Sequence, residues 1–402
     1  MRRSDMEVTD ARQANRSAVF AAIVTARQTT RTRLAEETQL SPATVSRVAE
    51  GLLAEGLITE GRQVATQGPG RNAISLEARP DLGVVCGIDL GASNCRFLLA
   101  DMLGQPVTIS YQQTPVGIGA GALASWLADR VTALAAGQSL PLKSVVVGLP
   151  GMVTPDGTSI TGAPNVPQIE GEVFTRRLTR AIPAPVLLYN DSDLALLGEL
   201  RFGAARGLDR AVMFTIGAGL GAGIVLDGAL LRGQRGQAGE FGFLPIGPSG
   251  ETVEDLLSGA GLLRQARALR APVNDAADVF TPAVAALLDP VLERFDRALV
   301  LVLTAATVAY DPDAIILGGG LSPAVIRRLE VTRGKLASLV PIAPDLRLAE
   351  LGDLSGTFGA LALACQTAYT TLGMSESDAA GLPADVSIAG LEETVVPRRT
   401  TR

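Results

Sequence analysis

Apolar residues in the first eighty positions fall first at helical and then at strand intervals. Leu34 and Ala35 lie on the inner side of a short helix ending near Thr38. Leu40 follows a turn, and Val45, Val48, Leu52 and Leu53 make one apolar face of a second helix. Ser41 is a good N-cap, because its hydroxyl can accept from a first-turn amide that has no helical partner. Pro42 loses nothing at the first helical position. An upstream helix, about 11–26, offers Ala18, Val19, Ala22 and Ile23 as packing. Leu57 and Ile58 then begin a strand, and Ala73, Ile74 and Leu76 lie in another, around a polar Gly/Pro-rich tip. Two helices at a tight turn followed by a hairpin predict a winged helix-turn-helix over residues 1–80, the geometry that sets a helix in a DNA major groove. Ser41, Ala43, Thr44, Ser46 and Arg47 would face base edges and phosphates. Arg62 and Arg71 would lie along phosphates or a minor groove. The plainer alternative is a helical hairpin used for dimerisation.

Beyond residue 82 the pattern changes to buried strands that end in glycine turns. VVCGIDLGASNCRFLLAD is strand, glycine turn, strand, with Asp89 closing the first strand and Gly91 and Ser93 in the turn. Backbone amides and a hydroxyl in such a turn can wrap a phosphate. VVVGLPG is a buried strand, and Asn165 follows in a polar loop. LLYND delivers Asn190 and Asp191 at a strand end. FTIGAGLGAGIVLDG and AIILGGGLS are further strands running into glycine loops. Asp, Asn and Gly presented along one edge of an α/β sheet make a cleft for a small polar ligand.

Composition narrows the chemistry. The 402 residues allow two or three domains. There is no histidine, which excludes a Ser-His-Asp triad, a histidine base and histidine metal ligands. Cys86, Cys95 and Cys365 are scattered, so neither a disulfide framework nor a structural zinc site is expected. No apolar run is long enough to span a bilayer, and the N-terminus lacks a signal-peptide apolar region; a cytoplasmic protein with no membrane partner is expected. Residues 1–80 carry eleven arginines against nine carboxylates, net +2 in a chain of net −6, a mild asymmetry of the sign a DNA-binding head requires.

The order of these glycine turns resembles the sugar kinase, hsp70 and actin superfamily, a two-lobed, ribonuclease H-like α/β fold. With the helix-turn-helix in front, the chain resembles the transcriptional regulators of the ROK family over about residues 12–370. The resemblance implies a first phosphate loop at Asp89, Gly91 and Ser93, and a second at Thr215, Gly217, Gly219 and Gly221. Gly318, Gly319 and Gly320 would approach an adenosine. Asn165, Asn190 and Asp191 would bind sugar hydroxyls, with Asp191 the general base of a kinase. Glu240 matches the glutamate of the family's Gly-Glu-x-Gly-His motif, and Glu254 matches a second sugar-contacting glutamate.

Two departures matter. The motif's histidine is Phe243 here, and LPIGPSGETVEDL holds no cysteine, so no zinc is expected; Phe243, Leu244, Pro245 and Ile246 are expected to pack that loop instead. The first phosphate loop reads Gly91-Ala92-Ser93-Asn94 where family kinases carry Gly-Gly-Thr-Lys, which removes a basic side chain. The expected function is a sugar-responsive repressor that binds double-stranded operator DNA as a homodimer or higher oligomer, with no cofactor. The alternative is a sugar kinase using ATP, magnesium and Asp191. Lobe one is expected at 82–190 plus about 356–372, lobe two at 191–354, and a loosely ordered tail at 375–402.

Overall fold

The computed structural model describes residues 3–64, 73–247 and 250–386. The head is built from α1 (Arg3–Ala26), β1 (Gln28–Thr30), α2 (Arg31–Thr38), α3 (Pro42–Ala54), β2 (Ile58–Val64) and β3 (Ala73–Ala78). The first helix starts well before residue 11. The hairpin gains a third strand, in the order β1-β3-β2; at three residues β1 is too short to leave an alternating pattern. Gln39 turns the chain between α2 and α3 in a left-handed conformation, φ 57°. Val19, Phe20, Ile23, Leu34, Val45, Ala49, Leu52 and Leu76 fill the core.

The body has two sheets. β4 (Val84–Leu90), β5 (Asn94–Asp101) and β6 (Pro106–Gln113) form an antiparallel meander. α4 (Ala120–Ala136) leads to β7 (Leu142–Leu149). The small hairpin of β8 (Met152–Val153) and β9 (Ile160–Thr161), then α5 (Val173–Ala181), leads to β10 (Val186–Asn190). The strand order is β10-β7-β4-β5-β6, with β7 parallel to both β4 and β10. β4 and β7 are apolar at nearly every position because both faces of the sheet are covered. α6 (Asp191–Phe202) crosses to the second sheet, made of β11 (Ala211–Ile216), β12 (Leu220–Leu226) and β13 (Ala229–Leu230), and later β14 and β15. Between them lie α7 (Val253–Leu257), α8 (Gly259–Ala268) and the long α9 (Ala285–Tyr310). β14 (Ala314–Gly318), α10 (Ser322–Val325), α11 (Leu329–Leu339) and β15 (Asp345–Leu348) complete lobe two, in the order β13-β12-β11-β14-β15. α12 (Ser355–Thr371) then returns to lobe one, and α13 (Glu376–Ala379) follows.

Helices α6 and α12 cross between the lobes at two glycines. A Cβ on Gly359 would lie 1.8 Å from the Leu194 carbonyl, and one on Gly198 2.1 Å from the Ser355 carbonyl. Beside the crossing, Glu199 is fully buried. Its carboxylate accepts from the amides of Ala204, Glu350 and Leu351 and from Ser355 Oγ, at 2.7–3.0 Å. This single side chain joins the end of α6 to the turn that starts α12.

The loosely ordered tail expected from residue 375 is corrected as far as Val386. Leu382 and Val386 are buried, and Ser375 to Val386 straps the head to lobe one. Ser17 Oγ bonds the Asp378 carboxylate and accepts from Ser375 N–H at 2.7 Å. The Asp385 carbonyl accepts from Arg27 of the head at 2.9 Å and from Gln105 of lobe one at 3.0 Å. Polarity and a proline concealed this strap in the sequence, because its order comes from bonds to partners far away along the chain. Residues 387–402 lie outside the described residues.

Candidate DNA-reading face and ligand cleft

Ser41 Oγ caps α3 by accepting from Thr44 N–H at 3.2 Å, and it lies 2.9 Å from Thr44 Oγ1. Both hydroxyls therefore serve the cap first. Ala43 and Arg47 are exposed and Ser46 is half-buried. Arg31 and Arg33 are paired with Glu60 and Glu37, whereas Arg47 has no bonding partner among the described residues. Arg62 is exposed on β2. Arg71 lies outside the described residues.

The cleft opens where β4, β10, β11 and β14 end. Asn190 caps α6: its amide oxygen accepts from Ser192 and Asp193 N–H at 2.8 and 3.2 Å, and Nδ2 donates to the Gly151 carbonyl at 3.0 Å. The side chain expected to bind hydroxyls is thus mostly committed to aiming Asp191, with one amide hydrogen left. Asp191 accepts from Ser192 Oγ at 3.3 Å, and that hydroxyl lies 2.6 Å from Thr215 Oγ1. Burial, then the nearby Asp89, pushes the Asp191 carboxyl up to about 7. Glu240 is pushed to about 7 by burial, Asp191 and Glu254. Glu254 is raised by burial, against a hydrogen bond from the Leu220 backbone. A Cβ on Gly219 would lie 3.1 Å from Glu254 Oε1 and 3.8 Å from Asn165 Nδ2, so both side chains lie beside Gly219. Asp191, Glu240, Glu254 and Asn165 form one set of donors and acceptors suited to hydroxyl groups.

The glycines divide into two kinds. Gly221 lets β12 reach α6, since a Cβ there would lie 2.1 Å from Ser192 Oγ. Gly318 meets Met213 at 2.4 Å, and Gly319, at φ +85°, meets the Ile216 carbonyl at 2.5 Å. The protein's own packing fills the space beside these three, and at Gly319 the positive φ and the backbone contact require glycine. A Cβ on Gly320 would meet nothing within 4 Å, and one on Gly217 only Gly320 N at 3.8 Å, which leaves space for a ligand. In the first loop, Ser93 is exposed, while Thr114 binds the Ser93 carbonyl through its N–H at 3.0 Å and the Gly91 carbonyl through Oγ1 at 2.7 Å.

Three cleft residues were not singled out in the sequence. Asp193, buried two residues past Asp191, is raised to about 7 by burial; the N-D-S-D run at a strand end was the available signal. Arg232, after β13, donates to the carbonyls of Pro155, Thr154 and Leu188 at 3.1–3.3 Å and sits 4.0 Å over the Tyr189 ring, tying lobe two to lobe one. Arg96 pairs with Asp89 at 3.1 Å and Asp353 at 3.3 Å. A three-residue turn between β4 and β5 sets Asp89 opposite Arg96, and counting across it would have found the pair. The charge missing at Asn94 is thereby returned from a different position.

The packing expected of the loop at the family's zinc motif is also corrected. Phe243 is 58% exposed and Leu244 36%, so neither packs the loop as expected; Phe241 does so, against Phe214 at 5.2 Å. Among the described residues no group of three or more His, Cys, Asp or Glu is placed to hold a metal ion, and the donors present do not fit zinc.

A two-lobed α/β body of the sugar-kinase type, cleft at its strand ends and a winged helix-turn-helix in front, defines the class. The chain belongs to the ROK family, whose model matches residues 85–367. It is 34% identical over 307 residues to the bifunctional enzyme NanE/NanK of Brucella melitensis, covering 73% of this chain and 56% of that protein; the match thus spans little over half the relative's length. It is 27% identical over 340 residues to the DNA-binding transcriptional dual regulator NagC of Escherichia coli, covering 78% of this chain and 82% of NagC. The crystal structure of a ROK family transcriptional regulator homologous to the E. coli MLC protein superposes with a TM-score of 0.74 at 22% identity, covering 92% of this chain and 99% of that one. That likeness establishes the fold, head included. No described helix is long and apolar enough to cross a membrane.

Proposed function

We propose that this chain is a sugar-responsive transcriptional regulator that acts as a homodimeric repressor on operator DNA. Asn165, Asp191, Glu240 and Glu254 are assigned to sugar hydroxyls, and Ala43, Ser46, Arg47 and Arg62 to DNA. Neither a nucleotide nor a metal is assigned. The observation that carries this reading is α12. At its start, a Cβ on Gly356 would lie 3.6 Å from the Asp89 carboxyl carbon and 3.7 Å from the Asp191 carbonyl. At its end, Tyr369 packs edge-on against Phe20 of the head, ring centroids 5.6 Å apart, and donates to the Met102 carbonyl at 2.9 Å. One helix therefore touches both the ligand cleft and the DNA-reading head.

A ligand acts only through its difference in affinity between two states. Lobe closure around a sugar would move α12 and with it the head, and paired heads must match half-sites about 34 Å apart or a multiple of that. The test is specific binding to DNA upstream of the chain's own gene, with and without a sugar panel. Release by one sugar supports the reading; specific binding that no sugar alters refutes the effector role. Within the cleft, a kinase reading is favoured by Asp191, whose carboxyl near 7 suits a general base. ADP formed in proportion to added sugar would establish that reading instead.

A further inference from the structure

Magnesium–nucleotide chemistry is what a sugar-kinase-like fold implies, and the first phosphate loop does not fit it. Asp89, the acidic group of that loop, has a guanidinium already in contact. Arg96 Nη1 donates to Asp89 Oδ2 at 3.1 Å, and Nη2 donates to Asp353 Oδ2 at 3.3 Å in the turn before α12. Arg96 and Asp89 are only 19% and 17% exposed, so solvent screens the pair weakly. Arg96 Nε is buried with no partner among the described residues: the guanidinium stays in place despite an unmet donor. Tyr111 stands opposite Arg96 on β6, flanking it on the side away from Asp89.

We infer that Arg96 is the resident counter-ion of Asp89 and closes the cleft to magnesium–nucleotide, leaving a site for sugar alone. This rests on the sugar-binding reading of the same cleft. A divalent cation approaching Asp89 meets a fixed positive charge where it would need negative charge. One of the two carboxylate oxygens, Oδ2, is already taken by a charge-assisted hydrogen bond, which rules out bidentate binding of a cation while Arg96 stays in place. Arg96 is therefore a specificity determinant: the fold keeps the sugar half of a kinase cleft and fills the metal half with a side chain.

The test is thermal unfolding of the full chain with magnesium chloride alone, with magnesium–AMPPNP, and with a sugar panel. Wild type is expected to respond to a sugar and to neither magnesium condition. Arg96→Ala exposes Asp89, and magnesium–AMPPNP should then raise Tm saturably by about 2–4 °C. Arg96→Gln shortens the side chain but keeps a polar amide group, removes the charge and should gain the same response, which covers the case in which Arg96→Ala fails to fold. Arg96→Lys should keep the exclusion. The Asp89→Asn/Arg96→Gln double variant should lose the gain. Saturable magnesium–AMPPNP binding by wild type, or no gain in Arg96→Gln, overturns the inference. A missing response to every sugar overturns the sugar reading instead and leaves the Arg96 result standing.

Discussion

Arg47 differs from Arg31 and Arg33 of the same head because no carboxylate holds it. Replacing it with alanine should weaken operator binding by about 1–3 kcal/mol, roughly 5- to 150-fold, if it reads a base. Sugar-induced stabilisation should be unchanged; unaltered operator affinity in a gel-shift titration would remove Arg47 from the interface. The acidic groups of the cleft make a separate prediction. Asp191, Asp193 and Glu240 are raised to about 7 in the fold, against values of ~4 in an unfolded chain. The folded state therefore holds more protons than the unfolded state between these limits. Their contribution to stability is fully present below ~4 and is lost as pH rises through about 7. Without ligand, Tm should fall between about pH 4.5 and pH 7.5 and level off above, and the fall should shrink in Asp193→Asn; a flat profile over that range in the wild type would contradict the buried cluster. Asp191 and Glu240 were legible from the sequence because strand ends and glycine neighbours mark them. Arg96 and Asp193 were not, since each acquires its meaning from a carboxylate that only folding brings near.

Among the elements, the helix-turn-helix was the most legible, because cap, proline and apolar spacing all agree on α3. The glycine loops were legible as turns but ambiguous in purpose. Glycine marks close approach without saying whether a ligand or the protein's own backbone approaches, and at Gly221, Gly318 and Gly319 it is the protein. The crossing of α6 and α12 left no motif, because Gly198 and Gly359 sit inside ordinary helical patterns. At Gly359 that crossing nevertheless leaves less room for a Cβ than is found at any other described glycine of the body. Gly359→Ala would force a Cβ into the Leu194 carbonyl at 1.8 Å, where only movement of a whole helix can relieve it. The expected loss is at least 1–3 kcal/mol, the usual range for overpacking, read as a lower denaturation midpoint. Gly320→Ala, with nothing within 4 Å, should change stability by less than about 0.5 kcal/mol. Equal effects at the two positions would show that the helices are less closely crossed than described.

For the whole molecule, the decisive feature is that head and body are joined twice, by chain and by strap. The chain passes from head to lobe one through Arg79, Pro80 and Asp81 between β3 and β4, and a head hung on that connection alone would swing freely. Instead Phe20 lies in one continuous core with Tyr369, and Ser17 is clamped by Asp378 and Ser375. Arg16 adds bonds to the Leu372 and Gly373 carbonyls, each at 3.1 Å. A head fixed in this way must follow α12. If α12 carries the signal, loosening the strap should separate two properties that are normally linked. Ser17→Ala/Asp378→Ala removes the clamp at a cost of about 1 kcal/mol per hydrogen bond, leaving the cleft untouched. Sugar should still raise Tm as in the wild type, and operator should still bind without sugar, but sugar should release it less completely. Full release in this variant would mean that the signal bypasses the strap. Loss of sugar-induced stabilisation would mean that the clamp supports the cleft rather than the coupling.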